Sequence, residues 1–219
     1  MTQPQIRVLL ADDHAAIRAG LRLMLEQAAD IAVVGEAADG AIAIRQAAAL
    51  RPDVVLMDIR MPGTDGITAT RAITATGAAD VLILTTFDID EYLFDALRAG
   101  AAGFLLKSVE PAALVDAVRR VAVGDGVLAP EVTRRLLVVF AAAEPTPAPP
   151  RPHPSLDSLT ARERDVLAAL GRGLSNADLA ATFAITEATA KTHVSRVLAK
   201  LSCTSRVQAA ILAKEAGIA

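Results

Sequence analysis

Five polar residues stand where apolar runs stop. Asp12 and Asp13 follow IRVLLA, Asp58 follows VVLM, Thr85 lies in the LTT that closes a run begun at residue 80, and Lys107 ends GFLLK. Each alone reads as a loop residue pointing into water. Gathered at one place, three carboxylates repel one another and need cations. Lys107 is one source. A hard divalent ion is another, because carboxylate and carbonyl oxygens suit Mg2+, which keeps several waters and accepts a phosphate partner. A carboxylate held by such an ion, beside a lysine and a threonine, can attack phosphorus. The cations then offset charge on the transferring oxygens, and Thr85 can donate a hydrogen bond. The covalent product of that attack is an aspartyl phosphate.

The elements that must position these residues are legible as alternating patterns. Strands are expected at 6–11, 31–37, 53–57, 80–86 and 103–107, with helices near 15–28, 40–50, 66–75, 89–99 and 111–123. The last helix opens with Pro111 and closes with Gly124, as helix ends prefer. Alternation of this kind predicts an α/β fold, a five-stranded parallel doubly wound sheet covered on both faces. In such sheets the functional crevice lies at the carboxyl ends of the strands. Asp12, Asp13, Asp58, Thr85 and Lys107 would all stand on that edge, which is why an acid ends a buried strand.

Composition bounds the rest. The chain has 219 residues, 53% hydrophobic and 21% charged, which excludes a wholly disordered protein. Only 3% is aromatic, so aliphatic residues and Ala must do most of the packing. The N-terminus has no signal-peptide pattern and no apolar stretch approaches the roughly 20 residues that cross a bilayer, so no membrane partner and a cytoplasmic location are expected. The single Cys203 excludes an internal disulfide and a Cys-based zinc cluster. Proline crowds AAAEPTPAPPRPHPS (141–155), which divides the chain. Residues 1–144 carry 13 Lys/Arg against 19 Asp/Glu, whereas 156–219 carry 8 against 6. An acidic front and a mildly basic back suggest two modules with different partners. The expected organisation is a phosphoacceptor domain over 1–125, a helix and Pro-rich linker over 126–155, and a small all-α domain over 156–219.

Three helix starts punctuate the last part. Thr160 with Glu163 forms a capping-box pattern, Ser175 with Asp178 a looser one, and Thr186 precedes a third helix after the short turn FAIT. That arrangement reads as a helix-turn-helix. On the third helix Ala190, Val194, Val197, Leu198 and Leu201 share a core face. Thr189, Lys191, Thr192, Ser195, Arg196 and Lys200 occupy the opposite side, where cations and hydroxyls suit the phosphates and base edges of a major groove. Asn176 could bind a phosphate or only cap its helix. Residues 205–217 are amphipathic, with Val207, Ala210, Ile211 and Lys214 along one side, and would pack on the module or pair with a second copy.

With the DD pair at 12–13, MDIRMPGTDG at 57–66, LTT at 84–86 and FLLK at 104–107, residues 5–124 resemble the receiver domain of bacterial two-component response regulators, a flavodoxin-like fold. LTARERDVL, GLSNADLA and TAKTHVSRVLAKL resemble the LuxR-type DNA-binding domain of the NarL/FixJ branch. The resemblance implies that Asp58 is the phosphoacceptor and that Asp13 and Asp58 ligate Mg2+ directly. The backbone carbonyl of Arg60 would be a third ligand, with Asp12 acting through water. Lys107 would pair with the phosphoryl group, Thr85 would move toward it, and Phe104 would swing inward behind Thr85. The implied partners are a sensor histidine kinase, double-stranded DNA and a second copy in a phosphorylated homodimer. Lys191, Thr192, Ser195 and Arg196 are the DNA contacts it favours. Departures are Ser108 after the lysine, Phe104 without a hydroxyl, and Ala190 where Val is usual. By its residue type Phe104 could also be a plain core residue.

Two other functions fit parts of the pattern. A Mg2+-dependent phosphohydrolase also uses an aspartyl nucleophile on a parallel sheet, but Arg60 stands where its general acid should be. A phosphate-independent dimeric DNA-binding regulator would keep the sheet as a platform, yet such proteins usually lose part of the acid cluster.

Overall fold

The computed structural model describes residues 5–85, 92–128, 132 and 156–218. The chain forms two compact units, residues 1–129 and 130–219, each with its own core. Thr86, the expected helix start at 89 and all of the Pro-rich segment 141–155 lie outside the described residues.

In the first unit β1 (Ile6–Ala11), β2 (Ile31–Ala37), β3 (Val54–Asp58), β4 (Asp80–Thr85) and β5 (Gly103–Leu106) alternate with α1 (Ala15–Glu26), α2 (Gly40–Leu50), α3 (Gly66–Ala75), α4 (Leu93–Arg98) and α5 (Pro111–Ala122). These strands pair in parallel in the order β2-β1-β3-β4-β5. This is the doubly wound order in which β1 and β3 flank the topological switch point. Every residue of β3 is buried, as a central parallel strand requires. Local chemistry sets the helix starts: the Asp39 side chain caps α2 at Ile42 N, Asp65 caps α3 at Thr68 N, and Pro111 opens α5.

The sheet has six strands where five were expected. β6 (Val127–Leu128) pairs with β5, Gly103 beside Val127 and Phe104 beside Leu128. Two residues carry no readable periodicity, so the sequence pattern could not announce it. Gly103 makes room for it, because a Cβ there would stand 2.3 Å from the Val127 carbonyl oxygen. Residues 127–128 therefore belong to the sheet and not to the expected linker segment at 126–155.

The second unit is all-α. A 3-10 turn (Leu156–Ser158) leads into α6 (Ala161–Gly171), α7 (Asn176–Phe183), α8 (Glu187–Lys200) and α9 (Arg206–Glu215). Both expected capping boxes form, Thr160 with Glu163 and Ser175 with Asp178. Leu167, Leu170, Leu179, Ala190, Val197, Leu201 and Ala209 lie in one continuous core. The buried side of α9 is Val207, Ala209 and Ala213, which corrects the expected stripe: Lys214 is exposed, and Ala210 and Ile211 are only partly covered. Helical spacing from Val207 allows either side, and the contacts with α6 decide it. Among the described residues no helix is long and apolar enough to cross a membrane.

Candidate functional site

The five sequence-predicted residues meet at the carboxyl edge of the sheet. Asp12 is all but enclosed at 1% exposure, and Asp58 and Thr85 are buried at the ends of β3 and β4. Lys107, just past β5, puts its Nζ 2.7 Å from Asp12 Oδ2 and 3.0 Å from Asp58 Oδ2. The Lys107 backbone N–H donates to the Thr85 carbonyl at 2.8 Å, which ties the two strand ends together. Asp58 Oδ1 accepts from its neighbour Ile59 N–H at 2.9 Å, and Asp12 Oδ1 from His14 N–H at 2.8 Å. A cavity of about 390 Å3 opens above Asp58, lined also by Thr85, Lys107, Arg60, His14 and Tyr92.

Burial dominates the electrostatics of Asp58 and pushes its carboxyl above the usual aspartate range, against the opposing pull of Lys107. Burial alone would lower the Lys107 ammonium, but its hydrogen bonds to Asp12 and Asp58 outweigh that and raise it. Lys107 thus stays charged between two acids. Asp13 is less enclosed, and its Oδ1 lies 2.6 Å from Nδ1 of the exposed His14. The ligand atoms of Asp12, Asp13 and His14 all fall within 4.8 Å of one another.

Three placements were not legible in the sequence. His14 and Tyr92 line the cavity, and the DDH run was the only available sign of the first. Gly66 packs its α-carbon against the Asp58 carbonyl and donates its N–H to Ile59 O at 2.8 Å, bracing the loop after β3. Phe104 lies in the core. Its ring is fully buried in β5, beside Ile83 of β4, so it is already inside and occupies the core position its residue type also suited.

On α8, Thr189, Lys191, Thr192, Ser195 and Arg196 are exposed along the face opposite Ala190, Val194 and Val197. The Thr192 and Ser195 hydroxyls donate back to the carbonyls of Ala188 and Lys191. Thr189 shares a hydrogen bond with the helix cap Thr186. Two expected contacts have other partners. Asn176 is buried with its Oδ1 3.2 Å from Arg206 Nη1, and the cap of α7 is Ser175. Lys200 turns away toward α6, its Nζ 2.7 Å from Glu163 Oε2. His193 is half-buried beside the core face. Cys203 fills space against the core, and burial pushes its thiol up.

Residues 8–119 match the response regulator receiver domain, and residues 157–213 match the luxR family of bacterial regulatory proteins. The uncharacterized transcriptional regulatory protein YxjL of Bacillus subtilis (strain 168) is 40% identical over 220 residues, spanning 100% of this chain and 99% of that one. The nitrate/nitrite response regulator protein NarL of Escherichia coli (strain K12) is 36% identical over 210 residues, spanning 95% of each. The crystal structure of response regulator ChrA, from a heme-sensing two-component system, is similar at 42% identity and a TM-score of 0.56. That likeness spans 99% of this chain and 100% of that chain.

Proposed function

The chain belongs to the two-component response regulators that join a receiver domain to a luxR-type DNA-binding domain, and on that premise we propose that Asp58 is where it accepts a phosphoryl group from a sensor histidine kinase. The observation that carries this reading is Lys107 Nζ, 2.7 Å from Asp12 and 3.0 Å from Asp58 beneath an open cavity. An Asp58 carboxylate oxygen attacks phosphorus of the phosphohistidine; the new O–P bond forms as the P–N bond breaks and its electron pair leaves on the imidazole nitrogen. Lys107 and the Thr85 hydroxyl line the space where the phosphoryl oxygens arrive. Lys107, already shared between two acids, can donate to them without entering from solvent.

The residues present fit Mg2+. Three carboxylates gather here, only Asp12 and Asp58 are paired with Lys107, their donors are oxygens, and Asp13 faces the imidazole of the exposed His14. Asp12, Asp13, Asp58 and the Arg60 backbone carbonyl would hold the ion. When bound, it supplies positive charge against the transferring oxygens. Phosphorylation then favours a pre-existing form that dimerises and binds duplex DNA through Thr189, Lys191, Thr192, Ser195 and Arg196. Two copies would read half-sites about one helical turn apart. Binding to duplex DNA and exchange with a kinase would both take place in the cytoplasm.

Intact-protein mass after incubation with a small phosphodonor tests the reading. One phosphoryl group added only with Mg2+, and none in Asp58→Asn, is expected. Equal modification of the variant would remove Asp58 from the role. No modification under any condition would favour a phosphate-independent platform.

A further inference from the structure

We propose that Lys200 is a positioning residue for DNA binding and not a DNA contact: with Glu163 and Thr160 it locks the last turn of α8 to the first turn of α6. This rests on the α8 face being the DNA surface. A single oxygen, Glu163 Oε2, accepts from Lys200 Nζ at 2.7 Å, from Thr160 N at 2.8 Å and from Thr160 Oγ1 at 2.9 Å. Lys200 Nζ also donates to the Ser158 carbonyl at 3.2 Å. One buried carboxylate therefore joins the entry turn, the start of α6 and the end of α8.

The other two cations of α8 behave differently. All three are exposed, but among the described residues Lys191 and Arg196 make no ion pair, whereas Lys200 is held by Glu163. Recognition helices contact base edges chiefly with their N-terminal residues. Lys200 is the final residue of α8, roughly 13 Å along the axis from Lys191 at 1.5 Å per residue. An anchor at that distance acts as a lever: freeing the end lets the whole helix tilt on its core face, so every groove contact loosens together. A phosphate contact would contribute one local term. The Glu163 carboxylate is largely covered while the Lys200 ammonium stays partly exposed, so the lock rests on several hydrogen bonds converging on one oxygen and not on a buried ion pair.

Salt dependence separates the two roles, because each neutralised phosphate adds about 0.9 to the slope of log affinity against log salt. The probe is a short mixed-sequence duplex with the phosphorylated full-length chain. Lys191→Gln and Arg196→Gln should each lower the slope by about 0.9. Lys200→Gln should lower affinity about fivefold at every salt concentration with the slope unchanged. Thr160→Val, which loosens the lock from the other side without touching a cation, should reproduce that pattern, and Lys200→Arg should restore affinity. If Lys200→Gln does not fold, Thr160→Val carries the test. A slope lowered by Lys200→Gln as much as by Lys191→Gln would make Lys200 a phosphate contact and overturn the proposal. Unchanged affinity in both Lys200→Gln and Thr160→Val would overturn it as well. Unchanged slopes in Lys191→Gln and Arg196→Gln would instead remove the α8 face as the DNA surface, a separate failure.

Discussion

A Cβ added to Gly66 would stand 1.9 Å from the Asp58 carbonyl oxygen, which no real side chain tolerates. Gly66→Ala must push the loop after β3 away from Asp58, the proposed phosphoacceptor. A loss of about 1–3 kcal/mol is expected, typical of forced overpacking, with slower phosphodonor labelling; thermal melting and labelling rate check both. The acid cluster was legible because each member is a polar residue breaking an apolar run. Gly66 was not, since its requirement arises from a contact across the loop that the spacing does not show. Glu163 makes a further residue-scale prediction. The Lys200 ammonium and the Thr160 cap hold its carboxyl down, from a usual 4.5 to about 2. A depressed carboxyl pKa contributes stability that is full above the unfolded value and lost as pH falls toward the folded one. The difference in thermal midpoint between the native chain and Glu163→Gln should therefore shrink between pH 4.5 and about 2. A difference that stays constant across that window would mean the ion pair does not set the carboxyl.

Helix ends show where pattern reading succeeds and where it stops. Thr160, Ser175 and Thr186 were recognisable as caps from their own types and the residue three positions on, because capping is a local chemistry. The end of α7 had no such sign. Ala184 adopts φ 52° and ψ 47°, a left-handed conformation that glycine takes without the Cβ penalty. Its N–H still closes the helix onto the carbonyls of Ala180 and Ala181, so the turn into α8 is bought with strain. Ala184→Gly should stabilise the module by about 0.5–1 kcal/mol, read as a raised urea midpoint at unchanged slope. Destabilisation would mean the alanine methyl packs where it sits. Strand β6 belongs to the same class of omission: its pairing depends on the missing side chain of Gly103, a feature of β5 and not of residues 127–128 themselves.

Across the whole molecule, the proline-crowded segment at 141–155 led to the expectation of two modules; the chain forms two compact units that divide at 129/130, ahead of that segment. Each unit closes its own core, so residues 156–219 should unfold in one cooperative transition when expressed alone. At about 60 residues such a domain is only marginally stable, so the transition should come at modest temperature. A broad, non-cooperative melt would show that its core needs residues outside it. The two edges of the receiver sheet matter for how copies of the chain meet. On one side β2 carries a register slip opposite Val8 and Leu9, while Arg22 and Gln46 side chains already reach the carbonyls of Val33 and Glu36. On the other side β6 is two residues long. A bulged edge and a very short one are poor templates for an incoming strand. Self-association by backbone pairing, the route to runaway fibrous growth, is thus disfavoured at both ends, which would leave any contact between receivers to the side chains of their helices.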